Sequence, residues 1–133
     1  MHPDFERADA LSERVIGAAI EVHRRMGPGL IESIYEKCMM RELQLQEIPA
    51  KNQLVVPIEY KGYTFEELLR LDVLVEGCLL LELKSVEKVH PIHKAQLLSY
   101  MKLLNVPIGL IFNFHELRMR DGIYRMILPG SNE

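Results

Sequence analysis

The residues that invite chemistry lie between Leu71 and Ser85, which reads LDVLVEGCLLLELKS. Asp72, Glu82 and Lys84 interrupt an otherwise apolar run, patterned as two strands joined at Glu76-Gly77. A charge inside a buried strand is costly unless it is paired or binds a metal. Glu82 and Lys84 are two apart, so on a strand they point to one face. A carboxylate pair beside a lysine suits a divalent cation and a phosphate. Phosphodiester hydrolysis needs both: a metal to polarise a phosphate oxygen and activate a water, and a positive charge where negative charge develops.

The turn decides whether Asp72 joins this group. A two-residue loop at Glu76-Gly77 sets Asp72 opposite Leu81, on the other face from Glu82. A three-residue loop, Glu76 to Cys78, with Gly77 or its neighbour at positive φ, sets Asp72 opposite Glu82. In the competing reading Glu82 and Lys84 form a solvated edge and Asp72 is a surface residue near the turn. Leu79, Leu80, Leu81 and Leu83 leave little room for a solvated face.

The flanking elements must position these charges. Asp9 or Ser12 is expected to cap a first helix running to about Met26, with Leu11, Val15, Ala18, Ala19, Val22 and Met26 as its apolar stripe. Gly27-Pro28-Gly29 stops it. His23 reads as a surface or capping residue, and Arg24 and Arg25 suit the helix C-terminus by the dipole alone. A second helix spans Leu30 to about Gln46, with Ile34, Cys38 and Leu43 in its stripe. Glu32 falls in its first turn, where the dipole by itself favours an acid; Tyr35 shares that flank. Gln53 to Tyr60 reads as a strand and Lys61-Gly62 as a turn. Tyr63 to Val75 is a second strand, with Leu69, Leu71, Val73 and Val75 on one face, and Cys78 to Lys84 a third.

His90 and His93 flank a proline at a spacing wrong for a helical metal pair, so they read as loop residues. A third helix follows from about Ile92 to Leu104, with Ala95, Leu98, Met101 and Leu104 as its stripe and Gln96 and Tyr100 sharing another face. Ile108 to Phe114 is a buried-type strand and Ile123 to Leu128 a last, edge strand. The order predicts an α/β fold, a mixed sheet of about five strands flanked by helices (α-α-β-β-β-α-β-β), in a single domain over residues 1–133. The helix between the third and fourth strands implies a crossover and a parallel pair there.

With 133 residues and a formal charge of −3, the chain has no global basic footprint, which counts against tight non-specific nucleic-acid binding but leaves room for a positive groove. Cys38 and Cys78 lack metal-type spacing and read as buried thiols of a reducing compartment. No run reaches membrane-spanning length and the N-terminus has no apolar signal region, so a cytoplasmic protein is expected.

Asp72, nine residues, then Glu82-Leu83-Lys84 on the next strand resembles the D…(D/E)xK signature of the PD-(D/E)XK nuclease superfamily. Gly29 to Tyr35 reads G-x-x-E-x-x-Y, the motif of the small GxxExxY family within it. Gln96 to Tyr100 resembles the Q-x-x-x-Y helix motif of the RecB-type branch. The resemblance runs from about Leu11 to Leu128.

It implies that Asp72 and Glu82 ligate Mg²⁺ or Mn²⁺, with the Leu83 backbone carbonyl completing the protein side and Glu32 reaching the metal directly or through water. Lys84 would orient the attacking water and stabilise the phosphate. Gln96, Tyr100 and Tyr35 would line the site. The implied activity is metal-dependent hydrolysis of DNA. One compact domain offers little surface to a duplex, so a second copy or a partner protein is expected to supply grip. Arg70, Lys94 and Lys102 could touch phosphates or be solvated. Two alternatives stay open: a non-catalytic nucleic-acid-binding or regulatory module that keeps the fold, and an interaction subunit without metal.

Overall fold

The computed structural model describes all residues, 1–133. Its elements are α1 (Phe5–Met26), α2 (Glu32–Leu45), β1 (Ala50–Tyr60), β2 (Tyr63–Val75), β3 (Leu79–Lys84), α3 (Pro91–Leu104), β4 (Ile108–Asn113), a short 3-10 turn (Met119–Gly122) and β5 (Ile123–Ile127). The strands form one five-stranded sheet in the order β1-β2-β3-β4-β5. Only β3 and β4 run parallel, joined by the α3 crossover; the other pairs are antiparallel. The α/β architecture and element order therefore match the expectation.

The sheet separates two apolar cores. On one face α1 and α2 bury Val15, Ala18, Ala19, Val22, Tyr35, Met39 and Leu43 against Val73, Leu79, Leu81, Leu83, Leu110 and Phe112. On the other, α3 buries Leu97 and Met101 against Leu71, Leu80 and Ile111. Gly109 lets α3 come close, since a Cβ there would lie 2.7 Å from Met101 Sδ. Helix stripes differ in detail from the sequence reading. The inward residues of α2 are Tyr35, Met39 and Leu43, one position on from the expected Ile34 and Cys38. On α3, Ala95 is exposed and Leu97 takes its place inside. Helix α1 begins earlier than expected, at Phe5, so Ser12 is internal and buried rather than a cap. Helix α3 begins at Pro91, which suits its first turn, and so includes His93.

Lys61 and Gly62, at φ 50° and 80°, make the two-residue turn between β1 and β2. The β2–β3 loop has three residues, Glu76 to Cys78, with Glu76 and Gly77 at φ 47° and 69°. The Cys78 amide closes it on the Val75 carbonyl at 3.0 Å. Pairing then runs Val75 with Leu79, Leu74 with Leu80 and Val73 with Leu81. Continued by one pair, this register sets Asp72 across from Glu82.

The period-two pattern of β2 does not hold through its length. Val73 and Val75 belong to the α1–α2 core, whereas Leu69 and Leu71 belong to the α3 core, together with Leu54 and Val56 of β1. The switch falls between the pairs Asn52–Val73 and Leu54–Leu71, at Gln53 and Asp72. Gln53 has a left-handed φ of 51°, which rotates β1 there, and Asp72 gives its carboxylate to the β3 backbone. Both strands turn over at the position that carries the candidate site's first acid.

Tyr35 fixes the α1–α2 connection. Its hydroxyl donates to the Gly27 carbonyl at 2.5 Å and accepts from the Leu30 amide at 3.0 Å. Its ring stacks on Phe114, 4.3 Å between centroids. Removing one buried hydroxyl that serves two backbone groups costs about 1–2 kcal/mol. Tyr35→Phe is expected to lower stability by that amount in urea unfolding while leaving far-UV circular dichroism unchanged.

Candidate functional site

The centre of the site is a pair of carboxyls at the twist between β2 and β3. Asp72 Oδ2 accepts the Leu83 amide hydrogen at 2.9 Å. Glu82 is 7% exposed, and its Oε1 is buried with no hydrogen-bond partner. An orphaned carboxylate oxygen in that position is costly unless a proton or a cation occupies it. Burial first, and then the charge of Asp72, push the Glu82 carboxyl up to about 8; Lys84 offsets part of this and Glu32 adds to it. Asp72 is also raised, chiefly by burial, against the opposing pull of the Leu83 amide.

Lys84 follows Glu82 by two residues on the same strand face and is partly buried. It enters no ion pair, so its ammonium is free for a ligand. Strand β3 is extended through Lys84 by its parallel partner, Asn113, and the Phe114 amide donates to the Lys84 carbonyl at 2.9 Å. The lysine thus stands at the C-terminal end of the parallel pair, where α/β sheets open a crevice.

Helix α2 supplies a second group of acids. Glu32, exposed in the first turn, accepts the Ser85 amide hydrogen at 3.2 Å, and Ser85 Oγ donates to the Leu30 carbonyl at 2.5 Å. Glu36, one turn on, accepts from Asn52 at 3.1 Å and Gln53 at 2.6 Å. Glu32, Ser33, Glu36, Gln53, Asp72 and Leu83 line a cleft of about 480 Å³. Glu36 was missed in the sequence reading. Its signal was there, four residues after Glu32 and so on the same helix flank. The role of Gln53 had no signal, since it comes from a backbone conformation at that residue.

From the other side, α3 presents Tyr100. Its phenol is raised by burial and then by the nearby charges of Glu82 and Asp72. Gln96 lies on the same flank but is exposed and makes no side-chain hydrogen bond. Tyr35, expected to line the site, is corrected: it is fully buried, and its hydroxyl serves the backbone at Gly27 and Leu30. His23 is also not a surface residue. It is buried, with Nε2 2.8 Å from the Glu116 carbonyl.

No group of three His, Cys, Asp or Glu side chains converges at metal-holding distance. The donor set is the pair Asp72 and Glu82, with Leu83 in the same cleft and Glu32 held by Ser85. That pair fits a hard divalent cation: it brings two oxygen donors, one of them orphaned, and mutual repulsion that a cation would relieve.

The raised Glu82 carboxyl has a consequence for stability without metal. A carboxyl whose folded pKa exceeds its unfolded value keeps a proton that the unfolded chain has already released. Stability therefore falls as pH rises from the ordinary value of 4.5 to about 8. With a chelator present, urea unfolding at pH 5, 7 and 9 should show this loss. Glu82→Gln should remove most of the slope and be the more stable protein at pH 9 by about 1–3 kcal/mol. An unchanged slope would place the proton elsewhere.

No curated protein and no solved structure matches the chain. A family model described as the PD-(D/E)XK nuclease superfamily matches residues 9–126, which takes in α1's apolar stripe, both acids, Lys84, α3 and nearly all of β5. The chain accordingly belongs to the PD-(D/E)XK nuclease superfamily.

Proposed function

We propose that the protein is a metal-dependent nuclease that hydrolyses phosphodiester bonds in DNA, of the GxxExxY kind and close to the RecB-type branch. The observation that carries this reading is the buried, orphaned oxygen of Glu82 beside Asp72, with the unpaired Lys84 on the same strand. Structural ion pairs do not leave a buried acid without a partner and a neighbouring lysine free. A metal-and-phosphate site does.

In this reading Asp72 and Glu82 hold Mg²⁺ or Mn²⁺, and the Leu83 carbonyl is the third protein donor. The bound cation would polarise a phosphate oxygen and lower the pKa of a coordinated water. Lys84 would orient the attacking water and place a positive charge against the phosphate as negative charge builds. The Leu83 amide holds the Asp72 carboxylate in one orientation. Glu32 acts through water, since one of its oxygens is already committed to Ser85. Tyr100 stands on the α3 side, near enough for its phenol to feel the charges of the carboxyl pair. The free thiols, Cys38 and the buried Cys78, fit a reducing compartment such as the cytoplasm. No helix is long and apolar enough to cross a membrane.

The test is cleavage of circular and linear, single- and double-stranded DNA with Mg²⁺ or Mn²⁺. Lys84→Ala is expected to lower the rate by about 10²–10³-fold or more with Mn²⁺ affinity kept. Asp72→Asn is expected to weaken Mn²⁺ binding, followed by calorimetry, by about tenfold or more. A folded wild type that binds Mn²⁺ and cuts nothing would make the protein a non-catalytic module on the nuclease fold. Unchanged Mn²⁺ binding in Asp72→Asn would overturn the ligand assignment.

A further inference from the structure

His93 takes no part in the reaction as derived above, yet three observations bring it to the same site. The first is its place on α3. His93, Gln96 and Tyr100 are spaced three and four residues apart, so they share one helix flank. Tyr100 on that flank feels the charges of Glu82 and Asp72, so the flank borders the carboxyl pair. The second is electrostatic: Lys84 of β3, Glu32 of α2 and His90 at the start of α3 lie near enough to act on the ring.

The third is the hydrogen bond that fixes the ring. The His90 amide donates to His93 Nδ1 at 3.0 Å. An Nδ1 that accepts leaves the proton of the neutral imidazole on Nε2. The neutral form is the favoured one, because desolvation first, and then the Lys84 ammonium and the neighbouring His90, lower the His93 pKa against the opposing pull of Glu32. His90 packs beside it, with ring centroids 5.7 Å apart. The outcome is one oriented N–H donor next to the lysine, with no partner for Nε2 within the chain.

We propose that His93 is a phosphate-contacting residue, whose Nε2–H donates to a phosphate oxygen of the nucleic-acid strand held by Lys84. This deepens the nuclease reading and rests on it for the identity of the strand as DNA. A neutral donor complements the lysine: it adds a directed hydrogen bond without further charge repulsion against Lys84. Arg70, Lys94 and Lys102 contribute nothing comparable here. Lys94 lies over the Tyr124 ring at 4.5 Å, Arg70 reaches Gln53, and none of the three is among the charges around His93.

The same nitrogen that fixes the tautomer also caps α3, so the test must separate a cap from a contact. Asparagine places an acceptor where Nδ1 stands and has nothing at Nε2. Glutamine places an N–H donor near Nε2. His93→Asn should keep the melting temperature of the wild type but weaken binding of a short DNA oligonucleotide, measured by anisotropy with Ca²⁺, on the order of 10- to 100-fold. His93→Gln should recover much of that affinity. In the wild type, ¹⁵N spectra should show the Nε2–H tautomer, and its signal should move when the oligonucleotide is added. Wild-type affinity in a folded His93→Asn, or a His93 signal that ignores bound DNA, would overturn the proposal, even if DNA is cut normally. DNA that fails to bind at all would overturn it too. Binding that depends on His93 in a protein that never cleaves would uphold the contact and refute the nuclease reading.

Discussion

The hydrogen bond from the Leu83 amide to Asp72 organises this molecule. It substitutes a side-chain oxygen for a backbone rung at the point where β2 leaves β3. Beyond that point β2 pairs only with β1, and its apolar residues change sides of the sheet. An aspartate can make this substitution because its short side chain reaches an adjacent strand's N–H and satisfies a buried donor that would otherwise be orphaned. The strand crossing and the orientation of the first acid are thus one structural event. The three-residue loop at Glu76 to Cys78 supplies the register that brings Glu82 to the same place.

That arrangement stores unfavourable electrostatics at the centre of the sheet. Two carboxyls share one partly desolvated position, and one oxygen has nothing to bond. The surrounding packing carries the cost. Leu80, Leu81, Leu83, Leu110, Ile111 and Phe112 are all buried on β3 and β4, on both faces. A core of this density holds the acids close where a looser one would let them separate. Electrostatic cost at the carboxyls and dense packing around them are therefore complementary features of the sheet centre.

Much of this was legible in the sequence for definite physical reasons. A run as apolar as Leu79 to Leu83 favours an interior strand over a solvated edge, and Glu82 within it is indeed buried. Spacing by two put Lys84 on its face, and the polar connection with a helix after Ser85 required a parallel pair. The loop length was readable only as two alternatives, because Glu-Gly-Cys serves as a two- or three-residue turn equally well. Other features depend on tertiary context. Nothing in LLRLDVLV announces that Leu71 and Val73 face opposite cores. Tyr35 sits in a motif with Glu32, yet a three-residue step leaves it about 60° round the helix from Glu32, enough to place it in the core rather than the cleft. His93 looked like a loop residue because the proline beside it is a helix breaker in the interior but a good first residue.

The stack of Tyr35 on Phe114, with His23 6.5 Å from the same ring, ties three separate stretches of chain into one strut. Its upper end is the Gly27–Leu30 turn; Leu30 in turn holds Ser85, and Ser85 holds Glu32. The outermost acid is therefore braced from the hydrophobic interior. In mechanical terms, the first turn of α2 is tethered to the interior by a relay of hydrogen bonds rather than standing alone at the surface.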